Sequence, residues 1–546
     1  MLKIYINFIY LCSMKRFIFC IVALVAMMGN QAVAAELAAK APKGVEISSQ
    51  SVTPYTIKVS CKGEAFYISA SEQWLGVVGG DVMFSAKRSH NVKIWAEPNL
   101  TTDYRSALLE LKGVKSGKVK QIAITQPPYL KSIVDGFPVR MMGSRYDAES
   151  WEASGICSPK GSSAMIAMVG ASGNLLTTTS EKGVAVAGVG AGDYLLFAVP
   201  VAKAEAGEQF DFMCTMTAME EDAPKYWIFE YWDAGRWNSL QSELRCAEDN
   251  SAIRYSFYNK YFRSAHNTSF AQSFTISEPI ENGCVKVRLR ALTGGNGKVK
   301  LTGNSKYVSL QLIRYNSAPK VADTKRMLFI GNSFTYFYGT PFMFKEIARS
   351  QGHQVDAVIS VKGGQEFSEH LQLERSREAI MQGGFDYAFL QDTSPNAAKY
   401  ADTQNRSILK ASRAINELTR KYSPNCEIIY EQTWACPHDD YRGYGSYERL
   451  DSLLQRGSQM LAAELAEFDI VISPIGEGFK IGRAQNLTLL HTDNRHQSRE
   501  GAYLKACINY LLIYKQPFTT TVSDCGVKRK TAAIIRKIAE QVVLSE

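Results

Sequence analysis

Ser333 ends a short apolar run, Leu328-Phe329-Ile330-Gly331-Asn332-Ser333-Phe334-Thr335. The run closes in a small polar turn with the serine at its tip. Far along the chain, Asp493-Asn494-Arg495-His496 sets an aspartate three residues before a histidine. That spacing lets the two side chains touch on one helical turn. Serine, histidine and aspartate together make an activated nucleophile. Taken singly, Ser333 reads equally as a turn serine capping a helix, and His496 as a surface-loop histidine. His491 is the rival histidine. His438 is a pocket-lining candidate or a plain loop residue. His353 and His370 lack partners at useful spacing and read as structural. No Cys-x-x-Cys or His-x-x-x-His pair occurs, so no metal is expected. Without a Walker loop or dinucleotide fingerprint, no cofactor is expected either.

Such residues need a frame, and the chain supplies one from Lys325 onward. Strand patterns at 326–330, 355–360, 386–391, 427–431 and 469–473 alternate with helical patterns near 341–350, 369–381, 404–421 and 447–466. Two more helices follow near 500–514 and 527–542. Pro341 suits a first helical position. The alternation predicts a doubly wound parallel sheet. Ligands bind beyond the carboxyl ends of such strands. The segments there are Gly331-Asn332-Ser333, then Val361-Lys362-Gly363-Gly364-Gln365, then Gln391-Asp392-Thr393-Ser394. Gln432, Trp434 and His438 follow the fourth strand, and Gly476-Glu477-Gly478 the fifth.

On these motifs residues 324–546 resemble an SGNH (GDSL-type) hydrolase, whose fold is flavodoxin-like. The family's first block matches Gly331-Asn332-Ser333, its second a glycine at Gly363 or Gly364, and its last, Asp-x-x-His, Asp493-x-x-His496. The third block, usually Gly-x-Asn-Asp, departs: here it is Leu390-Gln391-Asp392-Thr393. Some relatives, including sialate O-acetylesterase-like enzymes, use a glutamine at this point. The resemblance implies Ser333 as nucleophile, His496 as base and Asp493 as its orienting acid. It implies an oxyanion hole from the N–H groups of Ser333 and Gly364 with the Gln391 amide, Asn396 being the alternative third donor. Asn332, Gly363, Trp434 and His438 are the expected substrate-binding residues.

The remaining chain is read from composition. With 546 residues it is too long for one core. Lys15 and Arg16 precede an apolar run, Phe17 to Met28, and Ala32-Val33-Ala34 fits a cleavage site, so residues 1–34 read as a signal peptide. Met14 is an alternative start and a membrane anchor the alternative reading. No cysteine sits at the cleavage site, which argues against a lipid anchor there. The net charge is +9; losing Lys3, Lys15 and Arg16 with the leader leaves +6, and no dense basic tract suggests nucleic acid. Of eleven cysteines, Cys12 and Cys20 belong to the leader. The odd remainder is no disulfide scaffold. Cys426 with Cys436 and Cys507 with Cys525 are near enough in sequence to pair, buried free thiols being the alternative.

Residues 36–128 carry short alternating runs, including 56–60, 93–96, 107–111 and 121–124, at sandwich spacing. They resemble the BACON domain, an immunoglobulin-fold module of exported glycan-degrading proteins, on Trp74-Leu75, Arg105 and Ile122-Ala123-Ile124-Thr125-Gln126. Residues 130–318 are again strand-rich, with runs at 194–199, 226–231, 285–289 and 308–312, and predict a jelly-roll-like β-sandwich. Trp227, Trp232 and Trp237 could stack on sugars or fill the core.

The expectation is a multidomain chain, two all-β sandwiches before an α/β hydrolase. Its function would be that of an exported serine esterase removing acetyl or other small acyl groups from an acylated glycan. It would be periplasmic, surface-bound or secreted, with no transmembrane segment after signal removal. A glycan-binding or adhesion protein with a vestigial hydrolase domain is the alternative, as is a lipase or thioesterase on acyl chains. A fragment from about Ala322 to Glu546 is expected to fold alone.

Overall fold

The computed structural model describes residues 37–50, 54–80, 82–86, 89–141, 156–159, 162–174, 176–179, 184–239, 262–263, 268–301, 310–315, 324–437 and 443–545. The leader reading therefore lies outside the described residues, as does His438. The chain divides into two compact units.

The first unit holds two sheets. In one, Ala39–Lys40, Tyr55–Cys61, His90–Ala96 and Leu75–Val77 lie in that order. In the other, the order is Gly44–Glu46, Val119–Gln126, Arg105–Gly113, Phe66–Ala70 and Met83–Phe84. Alternation puts Ile57, Val59, Val92 and Ile94 in the core along with Ala107, Leu109, Leu111, Ile122 and Ile124. The Arg105 guanidinium lies 4.0 Å over the Trp74 ring.

The second unit begins with two seven-stranded sheets around a shared core of Phe197, Phe212, Trp227, Val287 and Leu289. Trp227 is a core residue with 0% exposure. Trp232 and Trp237 are half-buried, and Lys286 and Arg288 lie 4.0 and 4.3 Å over their rings. Those faces are thus covered by cations of a neighbouring strand.

The α/β region carries a parallel sheet of β1 (Lys325–Gly331), β2 (Val355–Val361), β3 (Tyr387–Leu390), β4 (Glu427–Glu431) and β5 (Val471–Ser473), in the order β2-β1-β3-β4-β5. Its strands read as unbroken apolar runs because both faces are covered. Met327, Phe329, Phe389 and Ile429 point to one side, against α2 (Thr340–Ser350), α9 (Arg499–Tyr514) and α10 (Arg529–Leu544). Leu328, Ile330, Ala388 and Ile428 point to the other, against α4 (Glu374–Met381), α6 (Arg406–Tyr422) and α7 (Tyr447–Glu464).

The expected helix over 369–381 is two pieces, α3 (Phe367–His370) and α4. Two helices were not legible. In α5 (Ser394–Thr403) the buried face is Ala397, Ala398 and Ala401, too small to mark a periodicity. In α8 (Ile475–Ala484) three glycines obscure the pattern. They are there for packing: a Cβ on Gly478 would meet Ile508 at 2.6 Å, and one on Gly482 would meet Leu489 at 2.4 Å. Gly476 and Gly478 are buried helix positions, not part of an open rim. The two candidate cysteine pairs are unbonded; Cys426, Cys436, Cys507 and Cys525 are buried free thiols.

The second sandwich and the α/β region share one compact unit, and α2 explains why. Phe342 packs on Met213 of the sandwich. Lys345 donates to Asp211 at 3.1 Å, with both side chains nearly buried, and Arg140 pairs with Glu346 at 2.6 Å. A fragment starting near Ala322 would bare this face and leave Lys345 without Asp211. Asp211→Asn should therefore destabilise the protein by about 3 kcal/mol, because the Lys345 charge stays buried without its counter-ion. Breaking the exposed Lys203–Glu205 pair with Lys203→Ala should leave the melting temperature unchanged. Calorimetric melts of the full chain test both.

Candidate active site

The β1 strand delivers Gly331, Asn332 and Ser333 to the carboxyl edge of the sheet, where the one-turn helix α1 (Ser333–Tyr336) begins. Asn332, not Ser333, is the cap: its side-chain oxygen accepts the Phe334 N–H at 3.1 Å. Ser333 is left to face His496, and its Oγ lies 2.9 Å from His496 Nε2. His496 Nδ1 lies 2.8 Å from Asp493 Oδ2, while Asp493 Oδ1 accepts the N–H groups of Arg495 and His496. With an Nδ1–H donated to the carboxylate, the Nε2 lone pair faces the serine hydroxyl.

The aspartate and histidine meet in a loop turn rather than on a helix. His491 N donates to the His496 carbonyl at 2.8 Å, and Asn494, at φ 54, takes the left-handed position between them. His491 Nδ1 stands 4.0 Å from Asp493 and bonds Thr492; it flanks the carboxylate, whereas His496 reaches the serine. His370 is buried, held by Ser376 and the Gly331 carbonyl, a structural role. Phe337 lies flat on the His496 ring at 4.1 Å, and Phe334 meets it edge-on at 5.4 Å. The kink at Tyr338 and Gly339, both at positive φ, follows Phe337 directly.

Gly331 is required by contact. A Cβ there would meet Thr335 Oγ1 at 2.2 Å and Gln391 Oε1 at 2.9 Å. Gly363 and Gly364 lie exposed on the turn after β2, and Gly364 has φ 72. Asn332 Nδ2 ties this turn to the first by donating to the Gln365 carbonyl at 3.0 Å. The N–H groups of Ser333 and Gly364 have no acceptor among the described residues. They are backbone donors of the kind that stabilises a developing oxyanion.

Four expected residues are engaged elsewhere. Gln391 has 0% exposure and does not face the cleft. Its oxygen accepts from Asn332 N and Thr335 Oγ1, both at 3.0 Å, and its amide donates to the Asp392 carbonyl. It braces the serine turn from beneath. Asn396 is no substitute, since its amide donates to Asp392 at 3.0 Å and Glu366 at 3.1 Å. Burial pushes the Asp392 carboxyl up to about 6, against the hydrogen bonds it accepts from Asn396, Phe367 N and Thr393 N. Trp434 has 1% exposure and is sandwiched between Phe334 and Phe479 at 4.5 and 4.1 Å, too deep to touch a substrate. Its indole N–H donates to the Arg495 carbonyl at 3.0 Å, so it props the histidine loop. Asn332 is 4% exposed and already engaged at both ends of its amide. Sequence reasoning missed Gln497, Lys505 and Glu431. The available signal was a lone lysine inside the apolar stretch Ala502–Ile508, and a glutamate closing the apolar β4.

Among the described residues no group of side chains could hold a metal ion. No family model matches the chain, and no curated protein matches it. Solved structures similar to it include a DUF4886 family protein from Bacteroides uniformis, 18% identical, covering 41% of this chain and 96% of that one at TM-score 0.33. An acetylxylan esterase from Geobacillus stearothermophilus is 14% identical over 34% of this chain and 94% of its own, at TM-score 0.27. A Bacillus subtilis protein is 14% identical over 65% and 92%, at TM-score 0.31. At this distance the functional reading rests on the geometry of the site.

Gln391→Met separates a brace from an oxyanion donor. It strands the buried Asn332 N–H, so stability should drop by about 1–3 kcal/mol. The fall in kcat should stay well below the roughly 10²-fold or more expected for loss of an oxyanion donor. Melting curves and steady-state kinetics on an aryl ester read both quantities.

Proposed function

We propose that residues 324–546 form a serine esterase of the SGNH type. The carrying observation is the relay Ser333–His496–Asp493, with contacts of 2.9 and 2.8 Å. In this reading Ser333 Oγ attacks the acyl carbon as His496 Nε2 takes its proton. The tetrahedral oxyanion sits on the N–H groups of Ser333 and Gly364. The imidazolium then gives its proton to the departing alcohol, leaving an acyl-serine. Water attacks that ester with the same histidine as base, and Ser333 is restored. Asp493 holds the Nδ1–H tautomer throughout and stabilises the cationic ring.

The substrate we favour is an acylated glycan carrying acetyl or similarly small groups, met outside the cytoplasm. Support for the glycan comes from the BACON-like sequence motifs and the company of two β-sandwiches, which is association rather than contact chemistry. Support for export comes from the signal-like residues 1–34. No helix among the described residues is long and apolar enough to cross a membrane. A second reading is hydrolysis of longer acyl chains. A cavity of about 220 Å³ lies at the histidine loop, lined by Phe479, Arg483, Leu487, Thr488, Leu490 and Asn494, among others, and neither Ser333 nor His496 lines it. Hydrolysis rates along a series of p-nitrophenyl esters distinguish the two, since a small-acyl esterase falls off steeply beyond acetate.

The triad itself is tested by substitution. Ser333→Ala and His496→Ala should each cut hydrolysis of p-nitrophenyl acetate by several orders of magnitude with the melting temperature little changed. The double variant should be hardly worse than either, because triad members act as a unit. His491→Ala should remain active. Loss of activity in His491→Ala with retention in His496→Ala would sink the assignment.

A further inference from the structure

Ser333 rides on a helix of one turn, which is too short to hold itself. The Phe337 N–H closes the turn on the Ser333 carbonyl, and the carbonyls beyond it look to other elements for donors. The Phe334 carbonyl accepts two: Lys505 Nζ at 2.9 Å and Gln497 Nε2 at 3.0 Å. Gln497 also reaches the Ser333 carbonyl at 3.3 Å. Gln497 adjoins His496 in the chain, and Lys505 lies on α9 just beyond. One carbonyl oxygen therefore gathers the nucleophile turn, the histidine loop and the helix that follows it.

The lysine is costly to keep there. Lys505 and Glu431 are each 1% exposed and pair at 2.7 Å. Burial lowers the Lys505 ammonium pKa, and the Glu431 carboxylate pulls against that shift. Glu431 is completed by Asn509 at 2.7 Å, and Asn509 by Ser473 at 2.8 Å. Thr335 Oγ1 stands 3.5 Å from Glu431 and donates to Gln391, so the network ends under the serine turn. Well-packed apolar side chains would commonly serve stability as well as such a pair or better. Stability alone is thus a poor reason for a buried ion pair at this place.

We propose that Lys505 and Gln497 are positioning residues that clamp the Phe334 carbonyl and so set Ser333 Oγ against His496 Nε2. Glu431 keeps the lysine charged and aimed. The proposal rests on the esterase reading and adds two residues that act on the reaction through the backbone of the nucleophile turn. A misplacement of about 1 Å at a reacting atom costs up to roughly 10²-fold in rate. The clamp should therefore show in kcat and not in KM.

The test uses the full chain and p-nitrophenyl acetate, with active sites counted by the burst of p-nitrophenol. Glu431→Gln combined with Lys505→Met removes both charges together and leaves no buried ion unpaired. It is expected to melt close to wild type and to lose about tenfold or more in kcat, with KM unchanged. Gln497→Met, a neutral replacement of similar length, is expected to lose kcat severalfold with the same KM. A folded double variant with wild-type kcat overturns the clamp. If the double variant does not fold, Gln497→Met decides: a lowered kcat at constant KM supports the clamp, and wild-type kcat overturns it. A wild-type protein that shows neither burst nor turnover instead overturns the esterase reading and the clamp with it.

Discussion

One hydrogen bond, 2.9 Å between Ser333 and His496, joins residues 163 positions apart. Neither residue is fixed by its own segment. Ser333 stands on a single helical turn and His496 on a loop closed by a few backbone bonds. The contact exists because the sheet holds β1 between two neighbours and α9 packs on the same face as α2 and α10. Aromatic packing then sets the histidine: Phe337 covers one face of the ring, while Trp434 supports the loop from below through the Arg495 carbonyl. Small changes in that packing shift His496 against Ser333, and the proton transfer proposed between them would tolerate little error.

Beneath this contact lies a layer of buried polar groups at the carboxyl ends of the strands. Gln391 directly follows β3, Glu431 ends β4 and Ser473 ends β5, and each is satisfied by a partner on a neighbouring element. Such networks are expensive unless complete. Here they accept or supply the hydrogen bonds that the strand-to-turn transitions cannot make themselves. They also explain Gly331, where any side chain would displace Thr335 and Gln391.

How much of this was legible follows from what each residue type can signal. The β strands were readable because double burial writes unbroken apolar runs, and the candidate triad because Gly331-Asn332-Ser333 sits beyond such a run while Asp493-x-x-His496 pairs an acid with a histidine. The roles of Gln391 and Trp434 were not readable. A polar residue at a strand end looks the same whether its amide faces a cleft or a neighbouring carbonyl. An indole after a strand looks the same whether it lines a pocket or fills a core. Helix α5 stayed hidden because alanines pack without a strong apolar stripe, and α8 because its glycines answer to Ile508 and Leu489 rather than to helix propensity. The contact between sandwich and α/β region was invisible for another reason. Lys345 and Asp211 are ordinary surface residues until a partner 134 positions away buries them both.

The central claim is that Ser333 is the nucleophile and that His496 activates it. Reaction of the full chain with a fluorophosphonate, followed by mass spectrometry, tests that claim most directly. The account predicts one adduct per chain on Ser333, and labelling that is slowed by orders of magnitude in His496→Ala. An adduct on another residue, or undiminished labelling of Ser333 in His496→Ala, would contradict it.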